Sequence, residues 1–160
     1  MTHINLTKTT CDLYLCQSVS SDDLDWTRLI DRNFALDKSK PYIGYLGLNG
    51  DRLAMIPLIT QLRNKNIICY SVPITYRDNK NICQEEARAL AQKHAAIKLL
   101  SACKPRHPEP ITPLFYLFNL ASGVKEIEKT GGVIMVDRLD GHIWSAYEHD
   151  QYMYDFNNVF

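Results

Sequence analysis

The stretch NICQEEARALAQKHAAIKLLSACK, residues 81–104, most limits what this chain can fold into. Asn81 stands as a cap with Gln84 three residues on, Glu85 and Glu86 fall at the positive end, and Lys98 and Lys104 fall toward the negative end. Cys83, Ala87, Leu90, His94 and Ile97 share one stripe, whereas Ala95, Ala96, Leu99, Leu100, Ala102 and Cys103 make the later turns apolar nearly all round. Such a helix is stable only inside a core. A chain of 160 residues, 46% of them apolar, is long enough to bury one within a single domain spanning residues 1–160. A second helix is expected at PLFYLFNLASG, with Thr112 as its cap, Pro113 at the first position and Gly123 as its stop.

Around these two helices the pattern turns to strands. CDLYLCQSV, residues 11–19, alternates Cys11, Leu13, Leu15 and Val19 against Tyr14 and Cys16, a strand with both faces covered. DDLDWTRLIDRNFALD follows, a helix whose stripe would be Trp26, Leu29, Ile30 and Phe34, ending before Pro41. Residues 42–64 admit two readings: a hairpin turning at Asn49–Gly50, or strand 42–48 followed by helix 51–64 with Pro57 bending it. NIICYSVPITY is rich in β-branched and aromatic residues and reads as a strand ended or bulged at Pro73. From Gly132 the alternation predicts a carboxyl-terminal three-stranded antiparallel meander, residues 132–139, 142–148 and 151–156, turning at Asp140–Gly141 and His149–Asp150. The fold class is therefore α/β or α+β, one compact mixed domain with two central-to-late helices and this meander.

Charge and cysteine content narrow the setting. Lys plus Arg equal Asp plus Glu at 18 each, which argues against disorder and against a histone-like partner of DNA. The five cysteines cannot all pair, contain no C-x-x-C and are read as reduced thiols, favouring a cytoplasmic chain. The first residues lack the basic and apolar runs of a cleaved signal, and no run of 18 apolar residues would span a membrane. Metal and nucleotide motifs are missing: there is no H-E-x-x-H, no calcium loop and no Walker or dinucleotide fingerprint, so no cofactor and no metal are expected.

In the meander register, Asp137, His142 and Asp155 come together around Trp144. A carboxylate beside imidazole fixes its tautomer and favours its charged form. Cys83 at a helix start, His142 on a later strand and Asp155 on the next follow an order that resembles the papain-like and transglutaminase-like cysteine hydrolases. That resemblance implies Cys83 as nucleophile, His142 as base and Asp155 as orienter, acting on a small-molecule substrate in a hydrolase or acyltransferase. It is an arrangement of three residue types across residues 83–155.

The leading expectation is different. Asp137, Asp140, Glu148, Asp150 and Asp155 outnumber Arg138, the one strong base between Asp137 and Phe160. Such a surface repels phosphate, which argues against direct nucleic-acid binding, and it attracts a basic protein. Trp144, Tyr147 and Tyr152 would be the aromatic contacts. The expected function is a protein-binding module, specifically an immunity-like protein that neutralises a basic toxin or nuclease by occluding it. A structural subunit with a permanent aromatic interface is the third reading.

Overall fold

A computed structural model describes residues 9–97, 100–106, 113–122 and 128–158. They are mixed helix and strand and divide into two units, one holding the residues through Asp78 together with those from Asp150 onward, the other Asn79–His149.

The first unit is organised by strand β1, Thr10–Val19. Its alternation is as expected: Cys11, Leu13, Leu15 and Val19 are buried. On one side β1 pairs antiparallel with β2, Tyr42–Tyr45, and β3, Gly50–Asp51; on the other it pairs with β4, Cys69–Pro73. The second reading of residues 42–64 is therefore the observed one. Helix α2, Arg52–Asn64, starts where the Asp51 carboxylate accepts the Leu53 N–H at 2.8 Å. Pro57 lies inside it and removes one intrahelical bond, but Met55, Ile59 and Leu62, fully buried at helical spacing against β1 and β4, hold the helix in place.

The buried carboxylate of Asp12 fixes the loop between β2 and β3. It accepts N–H bonds from Leu13, Gly47 and Leu48 at 2.7–2.9 Å and pairs with Arg77 at 3.1 Å. Arg77 belongs to the short helix α3, Ile74–Asp78, which begins where Pro73 ends β4. The long helix expected at residues 22–37 is instead a 3-10 turn, Ser21–Leu24, and a single helical turn, α1, Thr27–Ile30. Leu24 and Thr27 are buried there while Leu29 is 87% exposed, so the expected stripe does not face a core.

In the second unit, helix α4, Gln84–Ile97, packs on an antiparallel sheet of order β5-β6-β7. The strands are β5, Leu100–Arg106; β6, Phe115–Ser122; and β7, Glu128–Asp137. Ala87, Ala91 and Ala95, four residues apart, present a smooth face that meets Phe118, Ile134 and Val136. Cys83 rather than Asn81 caps α4: its carbonyl accepts the Ala87 N–H at 3.0 Å and its sulfur accepts the Glu86 N–H at 3.4 Å. The expected helix to Lys104 stops at Ile97, and residues 100–106 pair with β6 instead. The helix expected from Pro113 is likewise β6, whose Phe115–Tyr116–Leu117–Phe118 run suits a half-buried sheet.

The carboxyl-terminal meander is overturned. Residues 142–144 return beside β7, with Ile143 bridged to Val136, but the chain then enters helix α5, Ala146–Asn157. Ser145 starts it, accepting the Glu148 N–H at 3.0 Å on its hydroxyl and the His149 N–H at 3.1 Å on its carbonyl. Tyr152 and Phe156, one turn apart, are buried and Tyr154 is 53% exposed, so the segment expected as strand 151–156 carries a helix stripe.

The far end of α5 belongs to the first unit and closes the outer edge of β4. Tyr152 donates its hydroxyl to the Ser71 carbonyl at 2.7 Å, and Asn157 Oδ1 accepts the Ser71 N–H at 2.8 Å. An open strand edge is thereby paired by side chains. Arg52 and Arg63 donate to the carbonyls of Asp155 and Asn157, anchoring the same end.

Candidate functional site

The site is built on the turn that ends β7. Asp137 Oδ1 accepts the N–H groups of Leu139 and Asp140, and its carbonyl accepts that of Gly141. Gly141 sits at φ +78°, a left-handed conformation that favours glycine. The chain then runs back: the Asp137 N–H donates to the His142 carbonyl at 2.8 Å and the Trp144 N–H to the Met135 carbonyl at 2.9 Å. This return places Trp144 under the turn. Its indole Nε1 donates to Asp137 Oδ2 at 2.7 Å, with the carboxylate only 1% exposed and the indole 8% exposed.

His142 stacks on that indole, ring centroids 6.2 Å apart and planes 8° from parallel. Its Nδ1 lies 2.5 Å from Asp140 Oδ1 and 3.9 Å from Asp137 Oδ2. Its Nε2 lies 2.5 Å from Glu148 Oε1 and 3.1 Å from Oε2. One imidazole is thus held between a turn carboxylate and a helix carboxylate, with a third behind it. Burial opposes charging of the ring, yet the hydrogen bonds it donates to Glu148 and Asp140 and the negative charge of Asp137 outweigh it, raising the His142 pKa above its ordinary value. Burial likewise lifts Asp140, but the backbone N–H and ring of His142 together hold its carboxyl below the usual range.

The expected Asp137–His142–Trp144 neighbourhood is present; its fourth member is not Asp155. The register that placed Asp155 there required a strand at 151–156, and that segment is helical. Asp155 and Asp150 fall in the first unit, and the carboxylates that close on His142 are Asp140 and Glu148. Of the expected contact residues, Asp137, Trp144 and Tyr152 are buried and serve the interior, because the two polar tips find partners there and Tyr152 caps β4. Tyr147 is 71% exposed, and Asp140, Asp150 and His142 are also exposed. Glu148 and Asp155 are half-buried. Arg138 is turned onto the Tyr116 ring, 4.3 Å from its centroid, and donates to the Phe115 carbonyl.

Among the described residues, ligand atoms of Asp137, Asp140 and His142 lie within 4.8 Å of one another. Each is already engaged, Asp137 by Trp144 and backbone amides, Asp140 by the ring and amide of His142, and the ring by two carboxylates. The cluster is a histidine clasp. Beside it lies a groove of about 380 Å³, whose lining includes His94, Leu120, Ile134, Ile143, Trp144 and Ser145. Cys83 is exposed at the start of α4, and both ring nitrogens of His142 face carboxylates. Glu148, expected as a partner-binding acid on a strand, lies at a helix start, and the signal for that place is Ser145-x-x-Glu148, a capping-box pattern.

No protein-family model matches the chain, and no curated protein and no solved structure matches it. No helix among the described residues is long and apolar enough to cross a membrane.

Proposed function

We propose that this protein acts by binding another protein through an acidic, aromatic rim on its second unit, in the manner of an immunity protein that occludes a basic toxin or nuclease. The observation that carries this reading is the rim's composition. Asp140 and Glu148 close on His142 and Tyr147, next to Glu148 in the chain, protrudes, while Arg138, the one strong base between Asp137 and Phe160, is folded onto Tyr116. Three carboxylates against one imidazole leave surplus negative charge to steer a basic partner, and Tyr147 supplies an anchor. Occlusion needs no cofactor and no turnover. Cys11, Cys69 and Cys83, none of them in a disulfide, fit a reducing, cytoplasmic setting. The hydrolase reading has less support, since the cluster leaves His142 no ring nitrogen facing away from a carboxylate.

The test is capture from native lysate followed by calorimetry with the isolated partner. The reading expects a basic protein bound stoichiometrically, more weakly as salt rises, with Tyr147→Ala costing about 2 kcal/mol and Asp140→Asn less. A folded Asp140→Asn/Tyr147→Ala/Glu148→Gln variant that binds the partner with unchanged affinity would show that this rim is not the interface.

A further inference from the structure

We propose that the proton on His142 gates the acidic rim: the charged ring ties Glu148 down, and loss of that proton releases the Glu148 carboxylate to meet a cationic side chain of the partner. The inference rests on the binding reading above and adds its regulation. The geometry sets the proton count. A ring nitrogen 2.5 Å from an ionised carboxylate oxygen carries the hydrogen that lies between them, because two lone pairs at that distance repel. Both nitrogens of His142 make such a contact, so the ring in this arrangement is the imidazolium. A neutral ring has one N–H and can keep one carboxylate only.

Which carboxylate leaves follows from what else holds each one. Asp140 Oδ1 also accepts the His142 backbone N–H at 2.9 Å, a local turn that survives deprotonation. Among the described residues the Glu148 carboxylate has His142 Nε2 as its hydrogen-bond donor, and its own backbone N–H is spent on Ser145. The proton therefore stays on Nδ1, and Glu148 is released. The other charged or titratable groups around the ring do not take over its role: Asp137 is locked by Trp144, Arg138 lies on Tyr116, and the His149 ring packs edge-on to Phe115. The clasp joins the end of β7 to the first turn of α5, so its stability contribution is full below the ordinary histidine value of 6.5. That contribution is lost as pH rises through the raised value of the folded state. Over that same rise the rim gains one negative charge and one unpaired carboxylate.

Two measurements on the full chain test this. Imidazole nitrogen shifts, followed by NMR from about pH 5 to about pH 9, should show both His142 nitrogens protonated at the acid end, a midpoint above 6.5, and a lower midpoint in Glu148→Gln. Binding of an oligolysine probe, followed by calorimetry across the same range, should strengthen about threefold through that midpoint, the size of one exposed ion pair. Glu148→Gln and His142→Gln should show no such step. An ordinary midpoint, or one unmoved by Glu148→Gln, overturns the clasp. The expected midpoint with no step in affinity overturns the gate. Oligolysine that binds at no pH overturns the acidic-rim reading itself, while the nitrogen shifts still report on the clasp.

Discussion

Replacing Trp144 by Phe separates the scaffold of the rim from its contacts. The substitution keeps an aromatic ring beside Phe115 and His142 but removes the Nε1–H donated to Asp137 Oδ2 at 2.7 Å. That donor meets a carboxylate only 1% exposed, so water cannot replace it, and a hydrogen bond to a charged group in such a place contributes about 1.5–3 kcal/mol. The smaller ring also leaves a void worth about 1 kcal/mol. Asp137 keeps its bonds from the Leu139 and Asp140 amides on the other oxygen, which limits the loss to about 3 kcal/mol. Because the chain divides into two units, the assay should read the second one directly: hydrogen exchange at the Ile134 and Val136 amides of β7 should speed up about a hundredfold. Tyr147→Ala, at a side chain 71% exposed, should leave exchange within about 0.5 kcal/mol of wild type. Trp144→Phe exchanging within that same margin would refute the buried Asp137–Trp144 pair as the support of the turn.

Gly141→Ala should destabilise the second unit by about 2 kcal/mol, since φ is +78° and the new methyl meets Leu90; unchanged exchange at β7 would count against the turn geometry. Asn157→Ala leaves the buried Ser71 N–H without its acceptor and should cost about 2 kcal/mol, read as a lowered urea midpoint of the first unit. Among the described cysteines iodoacetamide should label Cys83 first: it is exposed, whereas burial pushes Cys11 and Cys16 up to about 11 and Cys69 up to about 12. Mass spectrometry showing Cys69 labelled as fast as Cys83 in the native chain would contradict the packing of β1 on β4.

What the sequence makes legible here is local and strongly periodic. The inward set Cys11, Leu13, Leu15 and Val19 is readable because a strand's period of two leaves few alternatives. The alanine face of α4 is readable in part, although Ala91 rather than Leu90 carries its centre. Residues 100–106 and 115–122 were open to misreading because apolar runs that short fit a buried helix or a paired strand equally, and only their mutual pairing decides. In the last segment, Tyr152, Tyr154 and Phe156 alternate as a strand would, yet Tyr152 and Phe156 are also one helical turn apart. The Ser145 cap starts the helix, and the edge of β4 takes up its Tyr152 and Asn157 side chains. The Asp137–His142 approach survives this error because it depends on the Asp140–Gly141 turn alone. Asp155 does not survive, because its place depended on the strand that followed.

The partition of the aromatic and acidic residues bears on function. Trp144 and Tyr147 are three residues apart and carry opposite duties, one ring sealed against Asp137 and the other in solvent. A purely structural role would favour matching the imidazolium with a single carboxylate, since like charges crowded together repel. Instead Asp137, Asp140 and Glu148 all approach His142, and Arg138, near enough in sequence to compensate them, stacks on Tyr116. The surplus charge does nothing for the interior that Trp144 does not already do for Asp137. Its solvent-facing part lies on Asp140 and Glu148, whose side chains are 63% and 39% exposed. Screened by water, that excess costs the folded chain little; desolvated under a basic partner, the same carboxylates gain strength and discriminate against acidic surfaces.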